Sequence, residues 1–314
     1  MKLNLWKSAV VGGVLLGGLA ATTAGTLQTR DVAGNSAWLI HLDCDALKKT
    51  EFGKFILDEI AKPETKQRFD KIQADFGVDL RKQLHGLTAY SSSKSKEDGV
   101  LLIYADFDPN TLINVVEKTK EHESTSRGKN TIHSWLDEKK AAKEGGNPRT
   151  YAAIHDGKLL IISGKEGPVA GALDVLDGAK PNLAQSKSVS RLGSANSSFL
   201  VGVAWKLDLP NFDPAAAVFK ESKVFWLSAG EANGKVDITL SLETADEETA
   251  RQIESVGKGL VGLLGLQKDK TNSVKLSQGL SVEQSKSDVI AKLSLPSADI
   301  MGMIKASPKK KDDN

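Results

Sequence analysis

The residues best suited to chemistry are three polar side chains that alternate in one short segment. His41, Asp43 and Asp45 are separated by Leu42 and Cys44. If the strand predicted over this segment continues, alternate side chains project from the same face. Imidazole nitrogen and carboxylate oxygen are ligands for divalent metals such as zinc. These residues form a weak candidate metal site, and the simpler alternative places them on the solvated side of a half-buried strand.

A second histidine lies on another predicted strand and could complete the metal shell. His133 is this residue, and Asp137 shares its face of the strand. Such a shell would suit a metal-dependent hydrolase that uses His41 and Asp43. Zinc–ligand bonds are near 2 Å, so His41 and His133 can share an ion only if their rings lie within about 10 Å.

No recognised catalytic motif supports an enzyme. The chain has no Gly-x-Ser-x-Gly nucleophile elbow, no His-Glu-x-x-His zinc helix and no dinucleotide fingerprint. The run from Ser91 to Lys94 has Ser-x-x-Lys spacing but lies in a predicted hairpin turn, without the partner motifs of that enzyme class. No catalytic residue and no cofactor are predicted, and a divalent metal is the alternative. The favoured function is a non-catalytic binding or envelope-interaction module.

The stretch from Lys223 to Leu266 shows the kind of element that would position these groups. Its segment 236–243 alternates apolar and polar residues, which predicts a strand with one buried face. A preceding Asn-Gly pair predicts a tight turn from an earlier strand. Thr244 and Glu247 have capping-box spacing and predict the start of a helix. The apolar residues of this helix recur at three- and four-residue steps and predict a stripe that packs on the strands: Ala250, Ile253, Val256, Leu260, Val261 and Leu264.

The order strand, turn, strand, helix recurs four times along the chain. A lone predicted strand precedes each pair of units, at residues 37–43 and 198–205. Two similar halves are therefore predicted over residues 37–183 and 198–306, joined by a linker over residues 184–197. The predicted fold class is α+β, with an antiparallel sheet in each half and helices packed on one face.

The first 24 residues have the features of a secretory signal peptide. Lys2 and Lys7 precede an apolar run, and the small residues Thr22–Ala24 offer a cleavage site. A polar spacer over residues 25–36 and a disordered tail over residues 307–314 are predicted to flank the folded part. The chain is expected to be a soluble periplasmic or secreted protein, without stable membrane insertion once the leader is removed. The alternative is an uncleaved leader that anchors the chain.

Composition narrows the choice of partner. The chain has 42 Lys and Arg residues against 40 Asp and Glu residues. Nucleic acid or an anionic membrane surface would favour a basic excess, so a protein or glycan of the cell envelope is the expected partner. Cys44 is the only cysteine, which excludes an internal disulfide. Trp38, Trp135, Trp205 and Trp226 fall on predicted strands, where they either pack in a core or form a platform for sugar or peptide.

Four stretches carry a resemblance to known proteins: Ala37–Asp43, Arg81–Thr88, Val100–Pro109 and Ala172–Asp177. In these stretches the chain resembles a family of uncharacterised secreted or periplasmic bacterial proteins of unknown function. The resemblance implies export and a shared fold over most of the mature chain. It implies no activity, so no catalytic residue is carried over from it.

Overall fold

The computed structural model describes residues 25–93, 98–186, 198–205, 222–267 and 271–306. The predicted signal peptide, the predicted tail and most of the predicted linker (residues 187–197) lie outside the described residues. Within these ranges the chain forms one antiparallel sheet with helices against both of its faces.

Twelve strands of the described ranges join in this sheet. In chain order they are β1 (Trp38–Asp43), β2 (Leu84–Ser91), β3 (Val100–Ala105), β4 (Glu123–Arg127), β5 (Asn130–Leu136), β6 (Arg149–His155), β7 (Leu159–Ser163), β8 (Ser198–Ala204), β9 (Ser222–Ala232), β10 (Lys235–Thr244), β11 (Leu280–Ser285) and β12 (Asp288–Pro296). Their order across the sheet is β11-β12-β10-β9-β8-β1-β2-β3-β7-β6-β5-β4. The predicted α+β class with an antiparallel sheet is confirmed. Strands of both predicted halves share one sheet because β1 pairs with β8.

Ten α-helices lie in the described ranges. They are α1 (Cys44–Lys48), α2 (Glu51–Ile60), α3 (Pro63–Phe76), α4 (Leu80–Gln83), α5 (Pro109–Val116), α6 (Glu138–Glu144), α7 (Glu166–Leu176), α8 (Glu247–Leu266), α9 (Thr271–Gly279) and α10 (Ser297–Ala306). Aspartates start several of them, because a side-chain oxygen of Asp43, Asp108, Asp137 or Asp246 accepts a backbone N–H of the first turn.

The turn predicted before β10 is present, but the helix after β10 starts differently from its prediction. Asn233 and Gly234 have φ angles of 52° and 70°, the left-handed values that a tight hairpin turn requires. Asp246, not Thr244, is the N-cap of α8. The Thr244 hydroxyl instead bonds to the carbonyl oxygens of Asp246 and Ser287, so it ties the end of β10 to the turn before β12.

Counted outward from the β1–β8 pair, the strands follow a matching order on the two sides. One series is β1-β2-β3-β7-β6, and the other is β8-β9-β10-β12-β11. The first series continues through β5 to β4, which forms one edge of the sheet. All five residues of β4 are exposed, and the Arg127 guanidinium binds both carboxylate oxygens of Asp174 on α7.

The first hydrophobic core lies on the sheet face that α7 covers. Leu102 of β3 and Ile161 of β7 pack there with Val169 and Leu173 of α7. Cross-strand partners lie on the same face, so the register traces this face across the sheet. From Leu102 the row of partners runs through Thr88, His41, Val201 and Ser228 to Thr239.

The second core lies on the opposite face. Leu242 of β10 and Val289 of β12 pack with Ala250 and Ile253 of α8. Leu242 is three residues from Thr239 on the same strand, and an odd separation puts two side chains on opposite faces. The sheet therefore buries one face under α7 and the other face under α8.

The prediction that residues 25–36 form a polar spacer is wrong. Val32 is fully buried in the first core, and its carbonyl oxygen accepts the N–H of Leu183. Ala33 also forms a bridge with Asn182. The segment holds isolated apolar residues without strand or helix periodicity, so sequence patterns do not reveal that it packs.

We predict that Leu102→Ala lowers the free energy of unfolding by about 2–5 kcal/mol, because it leaves a cavity in the first core. Urea unfolding followed by circular dichroism measures the change. Leu263→Ala is the control, since Leu263 on α8 is 59 % exposed and its truncation should cost about 0.5 kcal/mol or less. Equal losses in the two variants would contradict the placement of Leu102 in the core.

Candidate functional site

The three alternating polar residues do not share a solvated strand face. Strand β1 ends at Asp43, and Asp45 lies in α1. His41 is buried, with only 3 % of its surface exposed, and Asp43 is also buried. Both point to the same side as Leu39 in the first core, while Ile40 on the other side is exposed. His41 and Asp43 share a strand face as predicted, but that face is buried and Asp45 is not on it, so the predicted solvated position is wrong.

His41 is held by protein groups at both ring nitrogens. Nε2 lies 3.0 Å from the carbonyl oxygen of Gly25, and Nδ1 lies 2.9 Å from Oγ1 of Thr88. A carbonyl oxygen only accepts, so Nε2 carries the proton and Nδ1 accepts the Thr88 hydroxyl. Burial lowers the pKa of His41 and so favours the neutral ring, and it outweighs the hydrogen bond to Gly25, which acts in the opposite direction. No lone pair of this ring remains for a metal ion.

Asp43 and Asp45 have separate structural roles. Oδ1 of Asp43 accepts the N–H of Ala46 at 2.7 Å and caps α1. Oδ2 of Asp45 lies 2.9 Å from Nδ1 of His85, and Oδ2 of Asp106 lies 3.0 Å from Nε2 of the same ring. The three residues Asp45, His85 and Asp106 form an ion cluster that joins α1 to the sheet. Sequence analysis missed it because the partners are distant in the chain.

The charge on this cluster follows from opposing effects on two pKa values. Burial lowers the pKa of His85, but hydrogen bonds to Asp106 and Asp45 outweigh burial and raise it. Burial likewise raises the pKa of Asp45, but hydrogen bonds from His85 and Lys48 outweigh burial and lower it. Both ring nitrogens donate to carboxylates, so His85 has no free lone pair to serve as a general base.

His133 lies far from the other predicted ligands. Strands β2, β3, β7 and β6 separate β5 from β1, so five inter-strand steps of about 4.8 Å place His133 about 24 Å from His41. Cross-strand pairing puts Ile132 on the same face of the sheet as Leu102 and His41. Its neighbour His133 therefore lies on the opposite face. Its Nδ1 lies 3.1 Å from Nε2 of His122. Across the described ranges, no group of three or more His, Cys, Asp or Glu side chains is placed to hold a metal ion.

The single cysteine is buried, as predicted, although it starts a helix and does not extend the strand. Burial raises the pKa of the Cys44 thiol to about 11. Two of the four tryptophans pack in a core and do not form an exposed platform. Trp205 and Trp226 meet edge to face with ring centroids 6.4 Å apart, and both pack against the first core.

The feature that sequence analysis missed is the outer side of α8. Four side chains form this α8 outer face: Val256, Leu260, Leu263 and Leu266. Between 48 and 71 % of each is exposed. The predicted buried stripe included Val256 and Leu260, but only Ala250 and Ile253 of this helix are buried. Val261 and Leu264 of the predicted stripe are half-buried, so the stripe is fully buried only in the first half of the helix.

The second half of α8 is almost without charge. Residues 255–266 contain one ionisable side chain, Lys258, among aliphatic residues and four glycines. A Cβ on Gly257 would lie 3.0 Å from Val282, and one on Gly265 would lie 3.3 Å from Ser277. A Cβ on Gly259 or Gly262 would meet nothing within 4 Å, so neither glycine is needed for packing. Each costs about 1 kcal/mol of helix stability relative to alanine.

An apolar crevice of about 210 Å³ lies beneath the α8 outer face, between the helix and the sheet. Its walls are apolar and include Phe225, Leu240, Leu242, Val256, Leu260 and Val282. Leu240 on β10 is itself exposed. The crevice and the outer face thus make one aliphatic surface. None of the described helices is long and apolar enough to cross a membrane.

Comparisons with known proteins give a distant structural likeness. No protein-family profile and no curated protein matches the chain. Among solved structures, crystal form I of TP0453, a bacterial protein, is similar with a TM-score of 0.47 and 11 % sequence identity. The similarity covers 90 % of this chain and 98 % of that chain.

We predict that His85→Gln destabilises the protein most at mildly acidic pH. Because the folded-state pKa of His85 is raised, its stabilising effect is complete below its unfolded pKa of about 6.5 and is lost as pH rises through the folded value. The loss should be on the order of 1 kcal/mol at pH 5.5 and smaller at pH 9. Urea unfolding at the two pH values measures it.

Asp106→Asn is the companion variant, because it removes one acceptor and should lower the pKa of His85 in an NMR titration. A loss that is the same at both pH values, or larger at pH 9, would show that His85 does not act as an imidazolium between carboxylates.

Proposed function

We propose that the chain is an exported, non-catalytic binding module that attaches to lipid surfaces through the α8 outer face. The observation that carries the proposal is the exposure of this aliphatic face on a helix half with one charge. Export rests on the leader sequence. The protein would work without a cofactor, in the periplasm or outside the cell.

The exposed face requires an apolar partner on physical grounds. A helix that is apolar all round is normally buried, and large exposed apolar patches mark interaction sites. Transfer of apolar area out of water is worth about 25 cal/mol per Å². The second half of α8 buries no residue fully, and more than half of Leu260, Leu263 and Leu266 is exposed, so folding alone does not account for these three leucines.

The chemistry of the face favours hydrocarbon over a protein partner. Protein interfaces usually form about one hydrogen bond per 100–200 Å² and concentrate their energy in Trp, Tyr and Arg. Residues 255–266 contain none of these three types. A bilayer interior offers aliphatic contact without hydrogen bonds, and a hydrocarbon chain inserted in the crevice would meet only apolar walls.

The length of the segment favours attachment at the surface of a bilayer. Residues 255–266 span about 18 Å as a helix, against about 30 Å for the hydrocarbon core. A short apolar helix of this kind lies in the interface, with its apolar side among the acyl chains. Lys258 is the only cation in the segment, so attraction to anionic headgroups contributes little.

A metal-dependent hydrolase is the weaker proposal. His41 uses both ring nitrogens for Gly25 and Thr88, and Asp43 caps a helix. No observation in the described ranges favours this activity. A protein or glycan of the cell envelope remains the alternative partner, and the vesicle experiment distinguishes it from lipid.

We predict that the exported protein floats with phosphatidylcholine vesicles in a density gradient. Leu260→Gln/Leu263→Gln should weaken this binding about tenfold or more, because the variant removes two apolar contacts and keeps the side-chain length. The control is Ile304→Gln, since Ile304 on α10 is an exposed apolar residue away from α8. The double variant should fold normally because both leucines are exposed.

Wild type and double variant that float equally, or wild type that does not float, would contradict lipid attachment. Binding that appears only when envelope protein or glycan is added would support the alternative partner. A dimer that the double variant abolishes, without vesicle binding, would identify a second copy of the chain as the occupant.

We also predict that vesicle binding resists salt. Raising sodium chloride from about 0.1 M to about 0.5 M screens surface charge but strengthens apolar contact slightly. The fraction bound to phosphatidylcholine, and to vesicles with added phosphatidylglycerol, should therefore stay the same within twofold. A steep loss in salt would show that headgroup charge, and not the aliphatic face, holds the protein.

A further inference from the structure

The crevice beneath the α8 outer face has one buried end and one open end. Leu242 of β10, Ile253 of α8 and Val289 of β12 line it and belong to the buried second core. Val256 and Leu260 of α8 also line it, and about half of each side chain is exposed. The crevice therefore runs from the second core to solvent, so a molecule can enter it while the protein stays folded.

The described walls of the crevice offer no polar side chain. Nine of the described lining residues have apolar side chains, and the tenth is Gly257. A water molecule inside a protein needs about two to four polar partners, and apolar cavities stay dry. An unfilled cavity lowers stability in proportion to its volume, because the atoms that line it lose contacts. The crevice is thus suited to hydrocarbon and not to a polar molecule.

The size of the crevice suits a single hydrocarbon tail. Its volume is about 210 Å³. A cavity of about 150 Å³ lined by Leu, Ile and Phe in another protein binds benzene. A methylene group needs about the space of a water molecule, about 30 Å³, so about seven carbons of one unbranched chain fit. Two tails would each bury only about half as many carbons.

The open end of the crevice leaves the polar end of such a molecule in water. No charged side chain is among the described residues that line the crevice. Lys258, the one ionisable residue of the helix half above it, lies 3.0 Å from Glu254 and is already paired. The charge of a head group is therefore not recognised, and the tail sets the affinity.

We infer that the crevice beneath the α8 outer face binds the tail of one amphiphile. About seven carbons of the tail lie against residues such as Leu242, Ile253 and Ala291, and the head group stays in water. The inference rests on the proposed function for the choice of lipid as the occupant. It adds that the protein holds one lipid tail in solution, without a bilayer.

The test titrates the exported protein with straight-chain carboxylates from butanoate to dodecanoate, each below its micelle concentration, and follows methyl signals by NMR. The dissociation constant should fall about fourfold for each added methylene up to octanoate, because each one buries more apolar area. The further methylenes of decanoate and dodecanoate should each improve binding less than twofold, because the crevice is then full.

Ala291→Leu on β12 fills the crevice, because Ala291 lines it. It should weaken octanoate binding at least tenfold and move the break in the series about three carbons shorter. The matched control is Ala232→Leu, since Ala232 is an exposed residue at the end of β9 and does not line the crevice. This control should bind the whole series as wild type does.

Near-ultraviolet circular dichroism checks the fold of the variants. Leu240→Gln replaces Ala291→Leu if that variant does not fold, because Leu240 lines the crevice and is itself exposed. It should weaken octanoate binding at least threefold, since it puts an amide into an apolar wall.

The source of the tail is tested with octylphosphocholine, which carries a phospholipid head group, against octanoate, the free acid. The two should bind within about fivefold of each other. A difference above tenfold would show that the head group is recognised and would overturn the inference. No saturable binding of octanoate, no break in the series up to dodecanoate, or unchanged binding in Ala291→Leu would also overturn it.

Failure of this inference is distinguishable from failure of the proposed function. Wild type that floats with vesicles but binds no octanoate would keep attachment through α8 and overturn the single-tail site. Wild type that binds octanoate with the break in length, but does not float, would overturn attachment and support the single-tail site. Ala291→Leu should still float, because it leaves Leu260 and Leu263 unchanged.

Discussion

The hydrogen bonding of β1 to β8 is the contact on which the architecture depends. It joins the strands on its two sides into one sheet. The sheet face that borders the first core therefore continues across the strands that hold the second core on their opposite face. The same register places His41 opposite Val201 and Ile40 opposite Gly202. A shift of one residue would exchange the two faces of β1 and expose the first core.

The two cores lie on opposite faces, and each face has a cavity beside its helix. Helix α7 covers one face, and its glycines leave a cleft against the β2–β3 hairpin. Helix α8 covers the other face but buries only its first half, through Ala250 and Ile253. Each half of the sheet therefore has one helix that closes a core incompletely. Beside α7 the opening lies over glycines, and beside α8 it is a crevice with apolar walls between the helix and the sheet.

Local sequence patterns predicted the strands and turns well, but not which of their faces are buried or which distant residues they contact. The alternation over residues 236–243 and the Asn233-Gly234 pair identify β10 and its turn, because both signals act within a few residues. The pattern around His41 predicts alternation correctly but assigns the wrong face to water. Its partners, Gly25 and Thr88, lie 16 and 47 residues away, so no local rule finds them. The exposed side of α8 was not predicted either, because the period of a helix does not say how much of its apolar surface the sheet covers.

The exposed strand β4 has a consequence for how the protein behaves at high concentration. A sheet that does not close leaves backbone donors and acceptors at its edges, where another chain can add a strand. The sequence of β4, Glu-Ser-Thr-Ser-Arg, has no apolar residue, and Arg127 is held by Asp174. A strand added there would gain no apolar contact and would have to displace or accommodate this ion pair. This edge therefore resists fibre growth and domain exchange when many copies of the chain are close together.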